Sequence, residues 1–221
     1  MQMTIRGSLP QIIRNDADLY EGNLAAYFKA VFDNAQNLSK FYHGFRHMFH
    51  VVWLCYCACA FYQRPGFNQL NRRQMRNLLI AAMFHDFNHP GMMGDDDLNI
   101  ERAIRGLQKY ILPEDAPFLA EIVLIIRATQ YPYVVPSEEL ELSALIIRDA
   151  DMAQALGQAW IQQVVIGLAA EWAKEPIEVL KMQPGFLKGL DFHTSWARQM
   201  FPQKDVDDKI AESNELIQLL E

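Results

Sequence analysis

Two neighbouring residues, His85 and Asp86, indicate what chemistry to look for. They close the apolar part of the stretch LIAAMFHDFNHPG (residues 79–91), which Pro90 and Gly91 then stop. A histidine beside an aspartate at the end of a buried helix is costly unless something binds there. The pair suits a divalent-metal site that hydrolyses a phosphate ester, and the rest of the chain must then supply more ligands. His43 and His47 stand four apart, a spacing that puts both on one helix face. His50 follows three residues later and shares part of that face. A hard metal engaged in hydrolysis also takes carboxylates. Asp149 and Asp151 interrupt an otherwise apolar helical run over residues 145–152. Two apart on a helix, they point about 200° away from each other, so only one can face the metal. The other must face solvent or a partner such as Arg148.

Two metals ~3.5–4 Å apart acidify a water and neutralise charge on a phosphate in flight. The leaving alkoxide needs a proton, which a histidine off the metal but close to it can give. His43, one helical turn from His47, is placed for that. Arg46 is a candidate either to contact phosphate or to pair with an acid.

These side chains need helices to hold them. Apolar residues recur at helical spacing over residues 16–35, giving one or two helices, and after a polar break at 34–40 over residues 41–62. Arg64, Pro65, Gly66, Phe67 and Asn68 read as a turn. Residues 71–86 form a third helix with Asn71 as its N-cap. Asp95, Asp96 and Asp97 open the next helix, where helix N-termini favour negative charge. Further helices are expected at 96–111, 117–129, 140–156, 160–173 and 205–220, with Pro176, Pro184 and Gly185 interrupting the stretch before the last. No alternating strand pattern, repeat or low-complexity linker occurs. The expectation is an all-α chain of eight or nine helices, with residues 1–221 forming one compact domain.

Half of the 221 residues are hydrophobic (51%), enough for a substantial core. The net charge of −7 argues against binding a nucleic-acid duplex through many phosphate contacts. Cys55, Cys57 and Cys59 alternate in a way that fits no zinc pair, and read as small buried hydrophobes. Trp160, Trp172 and Trp196 read as core, and His50 and His193 as structural. The longest apolar run, residues 48–62, falls short of the ~20 residues a membrane span needs. An odd cysteine count and a start without a signal-type apolar core point to a cytoplasmic setting.

The order of motifs resembles the HD-domain metal-dependent phosphohydrolases, an all-helical superfamily. Tyr42-His43-x-x-Arg46-His47 with His85-Asp86-x-x-His89-Pro90-Gly91 resembles the YHNxxH and HDxDHPG motifs of class I cyclic-nucleotide phosphodiesterases. Gln183-Pro184-Gly185-Phe186 is similar to their Q-x-G-F purine motif. The segment from Asp149 to Gly157, preceded by Asn99-x-Glu101, resembles instead the DADLAxxLG and NE elements of small bacterial HD phosphohydrolases. The resemblance spans about residues 40–190.

The resemblance implies that His47, His85, Asp86 and Asp151 hold the tighter of two metals, with Asp86 bridging to a second, more hydrated one. Zinc, manganese or magnesium would serve, with iron as a further candidate. It implies His43 as general acid, His89, Asn99 and Glu101 as residues behind the metals, and Gln183 and Phe186 as holders of a nucleobase. The implied activity is hydrolysis of a cyclic or small nucleotide as a phosphodiester. A nucleotide phosphomonoesterase on the same metals, or a binding module without turnover, stand as alternatives. The implied partner is a small phosphorylated or nucleotide substrate, with no membrane and with a homodimer left open. Asn88 replaces the second aspartate of HDxDH, and Gly44 replaces the asparagine of YHN.

Overall fold

The computed structural model describes residues 8–15, 17–67, 70–94 and 96–221. Asp16, Asn68 and Asp95, and the start of the chain read for a leader, lie outside the described residues. The described residues form an all-helical architecture without strands. The α-helices are α1 (Ser8–Arg14), α2 (Ala25–Asn34), α3 (Phe45–Tyr62), α4 (Arg72–Phe84), α5 (Asp96–Tyr110), α6 (Leu119–Arg127), α7 (Leu142–Met152), α8 (Ile166–Trp172), α9 (Pro176–Lys188), α10 (Ser195–Met200) and α11 (Gln203–Leu220). A 3-10 turn (Ala153–Leu156) follows α7, and one π-helical turn (Ile161–Val165) leads into α8. None of these helices is long and apolar enough to cross a membrane.

The core is built around α4. Every residue from Met75 to Phe84 is buried, as expected of a helix surrounded by others. It packs against α2, α3, α5, α6 and α7. Asn71 caps it as expected: its side chain accepts from the Gln74 N–H at 2.9 Å, and the Gln74 side chain accepts from the Asn71 N–H at 2.9 Å. Arg76 on α4 forks onto Asp115 at 2.8 and 2.7 Å, and the Tyr27 hydroxyl donates to the same carboxylate at 2.8 Å. This buried knot ties α2 and the segment before α6 to the central helix. A second cluster, containing Trp160, Val164, Val165, Leu168, Val179 and Leu180, joins the π turn, α8 and α9. A cavity of about 720 Å³ lies between the two clusters.

Several expected boundaries moved. The helix sought at residues 16–35 begins only at Ala25, because Asp18 and Gly22 take left-handed backbone conformations. Helix α3 begins at Phe45 rather than 41, so His43 sits in the turn before it. Gly44 caps that helix, and a Cβ there would lie 2.2 Å from the Lys40 carbonyl oxygen, so only glycine fits the turn. Pro184 and Gly185 do not interrupt α9, which runs through both. Packing against α8 and α11 holds the helix across the N–H that Pro184 lacks. Trp160 and Trp196 are core, whereas Trp172 is half-buried and lines the cavity.

Candidate metal and substrate site

Four donors converge at the cavity floor from three places in the chain, three of them in its lining and His85 buried behind them. His47 comes from the first turn of α3, His85 and Asp86 from the turn that ends α4, and Asp151 from the last turn of α7. The His47 Nε2 lies 3.0 Å from Asp151 Oδ1, 3.3 Å from Asp86 Oδ2 and 3.4 Å from His85 Nε2. The His85 Nε2 lies 3.5 Å from Asp86 Oδ2 and 3.7 Å from Asp151 Oδ1. Two ligands each ~2.1 Å from one ion stand about 3.0 Å apart at a right angle and about 3.4 Å apart at the tetrahedral angle. The three spacings from His47 fall in that range, and the two from His85 to the carboxylates lie up to 0.3 Å beyond it.

The donor set itself fits a cation. The His85 Nδ1 meets the Ala82 carbonyl at 2.8 Å, which makes it the protonated nitrogen and leaves Nε2 with its lone pair toward the cluster. Asp86 Oδ2 is buried and has no hydrogen-bond partner. A buried carboxylate oxygen among imidazole nitrogens needs a positive charge beside it, which a bound cation or, without one, a protonated His47 supplies. Burial pushes the Asp86 carboxyl up, but His85, His47 and His89 outweigh it and hold it well below the usual carboxylate range. Burial lowers His47, yet Tyr42, Asp151 and Asp86 raise it well above an ordinary histidine. His47, His85 and Asp151 together meet the spacing of a metal-ion site.

Asp149 is turned away from this cluster. Its carboxylate accepts from the backbone N–H of His193 at 3.0 Å and of Thr194 at 2.8 Å. It faces neither solvent nor Arg148, which donates instead to the Ala128 carbonyl at 2.9 Å. The α7 face that carries Asp149 packs inward toward the α9–α10 connection, and the opposite face opens on the cavity.

His43 also lines the cavity, but no helix face brings it there. Glu171, at the end of α8, accepts from the Tyr42 N–H at 2.6 Å and the His43 N–H at 3.0 Å. Its other oxygen lies 2.6 Å from His43 Nδ1. Burial raises Glu171, but the bonds from His43 and Tyr42 outweigh it and keep the carboxylate below its ordinary value. Gly91 makes room: its φ is +70°, and a Cβ there would lie 2.8 Å from Glu171 Oε2. The His43 ring stacks on His89 with centroids 3.7 Å apart. His89 accepts from the Gly91 N–H at 3.0 Å, and burial pushes it down to about 4, so it stays neutral near pH 7.

Asn88, the departure from HDxDH, lies in a left-handed turn conformation with φ 63°. Its side chain accepts from the Gln36 N–H at 2.8 Å, outside the cavity lining. The site thus does not use the position where the motif differs. Buried Asn37 joins the two motif segments, donating to the carbonyls of His43 at 2.6 Å and Asp86 at 2.8 Å.

Gln183 and Phe186 line the far wall with Val164, Leu168 and Met182. The Gln183 Nε2 donates to the Val179 carbonyl at 3.3 Å, while its buried Oε1 has no partner. Phe186 lies 6.3 Å from Tyr131 across the cavity, ring centroid to centroid. Three expected residues are not brought in. Glu101 is half-buried and pairs with Arg127 at 2.6 Å. Asn99 donates to Asp96 at 3.1 Å and accepts from Arg102 at 2.9 Å, behind the wall. Arg46 is exposed on the outer side of α3 and lines no part of the cavity. Helix direction explains Glu101 and Arg46, whose side chains lie on faces turned from the site, whereas Asn99 shares a face with Asp96 and stands behind it.

Asp96 takes the inward place instead, accepting from the Tyr131 N–H at 2.7 Å, with burial raising its carboxyl. Sequence reasoning passed over Asp96 as a helix-end charge, and it missed Glu171 altogether. Glu171 carried a signal, an acid alone in the apolar run of residues 164–173. That is the same signal that marked Asp149 and Asp151.

Residues 42–103 match the family model of the 3′5′-cyclic nucleotide phosphodiesterases. The match holds His43, His47, His85, Asp86 and His89, whereas Asp151, Glu171 and Gln183 lie beyond it. No curated protein matches the chain.

Proposed function

We propose that the chain is a single-domain, metal-dependent phosphodiesterase acting on a cyclic or small nucleotide. The observation that carries this reading is the four-donor cluster with its unpartnered Asp86 oxygen, on the floor of a cavity whose first segments match the phosphodiesterase model. His47, His85, Asp86 and Asp151 would hold the tighter of two divalent ions, with Asp86 shared. When bound, such ions supply a water nucleophile at neutral pH and neutralise phosphate charge. Asp96, facing the same space, takes the orienting role that Glu101 cannot reach.

His43 protonates the leaving oxygen. Glu171 keeps a proton on Nδ1, so Nε2 is the nitrogen that gives its proton to the cavity. His89 holds the ring flat by stacking. The apolar wall accepts a planar base between Phe186 and Val164, and Gln183 Oε1 accepts from a donor on its edge. Among the described residues, Lys181 is the one basic residue other than histidine in the lining, and it is already paired with Glu221 at 2.7 Å. Phosphate charge is therefore met by the metals, which favours a diester with one negative charge over a substrate with several phosphates.

The test is a turnover screen of 3′,5′-cyclic AMP, 3′,5′-cyclic GMP, bis-p-nitrophenyl phosphate and p-nitrophenyl phosphate with Mn²⁺, Mg²⁺ and Zn²⁺, together with metal analysis. Ring opening without phosphate release is expected. His43→Ala should keep its metal and lose about 10²- to 10⁴-fold in turnover. Loss of metal in that variant would remove the general-acid assignment. Release of inorganic phosphate from the monoester alone would favour a phosphomonoesterase. Full metal occupancy without any turnover would favour a binding module.

A further inference from the structure

The structure holds a pair of amides behind His47, one buried and one half-buried, that the reaction as proposed does not use. Gln154 sits in the 3-10 turn just past Asp151 and is 3% exposed. Its Oε1 lies 2.5 Å from the His47 Nδ1, and its Nε2 donates to Gln163 Oε1 at 2.8 Å. Gln163 is carried by the π-helical turn Ile161–Val165. Such turns insert a residue that re-aims a side chain, and they recur at functional sites.

We propose that Gln154 is a positioning residue for the metal: it forces His47 to bind through Nε2, and Gln163 holds it in the orientation that does so. This rests on the metal-site reading above. An imidazole has one protonated and one free nitrogen when neutral, and the partner of one nitrogen decides the state of the other. An amide oxygen at Nδ1 can only accept, so the ring proton stays on Nδ1. The lone pair then falls on Nε2, the atom 3.0–3.4 Å from Asp151, Asp86 and His85. Were the Gln154 amide turned round, its NH₂ would face Nδ1. The proton would move to Nε2, and the ring could not bind a cation there. The bond from Gln154 Nε2 to Gln163 Oε1 opposes that turn.

The cluster thereby gains two differently built imidazole supports. His85 is fixed by a backbone carbonyl of its own helix, whereas His47 is fixed by a side chain from the segment that also delivers Asp151. One short stretch, Asp151 to Gln154, thus provides a ligand and orients another.

The experiment measures binding of Mn²⁺ and Zn²⁺ alone by calorimetry, with thermal melting of the metal-free proteins. Gln154→Leu and Gln154→Met fill the space but accept nothing, and both should lose about 10- to 100-fold in affinity while the metal-free protein still melts cooperatively. Gln154→Glu offers an acceptor to Nδ1, and its affinity should stay within a few-fold of wild type or tighten. A residue that merely packs would give the reverse order, with Leu and Met tolerated and Glu disruptive, and that result overturns the assignment. Equal affinity in all four proteins overturns it too. A wild type that takes up neither metal overturns the metal-site reading itself, and is distinguished by that.

Discussion

Replacing Glu171 isolates how His43 is held. The carboxylate is almost fully buried and accepts three hydrogen bonds, two from backbone N–H groups and one from the His43 ring. Glu171→Ala leaves those donors without an acceptor. Each unmet buried donor costs ~1–3 kcal/mol, and the neighbouring cavity lets water relieve part of it. A loss of about 3–5 kcal/mol is expected, the range for breaking a buried charged contact from one side. At roughly 2–4 °C per kcal/mol for a chain of this length, melting should fall by about 6–20 °C.

Glu171→Gln is the sharper variant. Its single amide oxygen can keep the Tyr42 and His43 N–H bonds, at a cost of about 1–2 kcal/mol. Its NH₂ then faces His43 Nδ1. Donation from Nε2 leaves the ring neutral with its proton on Nδ1, the form a carboxylate at 2.6 Å favours and an NH₂ group opposes. Turning the amide round restores that bond and sets NH₂ against two backbone donors, so neither orientation satisfies all three. Turnover should fall about 10²-fold or more, while metal content stays at the wild-type level. The assay pairs bis-p-nitrophenyl phosphate kinetics with metal analysis and melting. A Gln variant with wild-type turnover, or one that has lost its metal, refutes the reasoning.

Two further outcomes test the rest of the frame. Asp151→Asn should abolish tight Mn²⁺ binding with little loss of melting temperature, whereas Asp149→Asn should keep metal and lose about 1–3 kcal/mol, because an amide NH₂ faces the His193 and Thr194 N–H groups; calorimetry and melting read the two apart. Burial raises Asp115, but its bonds from Arg76, Tyr27 and Arg73 hold its carboxyl below the ordinary value. A depressed folded value means stability that is present at neutral pH and fades as pH drops below the unfolded carboxylate value of about 3.9. The melting gap between wild type and Asp115→Asn should therefore be wide at pH 7 and narrow below about pH 4.

What the sequence determined by itself is what depends on near neighbours. Apolar periodicity made the chain helical and marked the helix before His85 as buried, and Asn71 fixed where that helix begins. His85 and Asp86 are adjacent, so the turn that ends α4 delivers both wherever it points. The four-residue spacing of His43 and His47 suggested a shared helix face, yet Gly44 starts α3 after His43 and the two histidines reach the cavity by different routes.

Tertiary structure alone decided which side of each helix faces the site. Asp149 and Asp151 are equivalent by local pattern. The packing of α7 on α3, α4, α6 and α10 sends one to the backbone before α10 and the other to the donor cluster of His47, His85 and Asp86. The same orientation rule carried Glu101 and Arg46 outward and Asp96 inward. Glu171 is 128 residues from His43, and Gln154 is 107 from His47. Contacts that far apart in the chain leave no periodic trace, because they depend on how whole helices dock. The stretch LIAAMFHDFNHPG thus announced a candidate metal site, and the fold decided which acid joins the donor cluster and which groups hold its histidines in place.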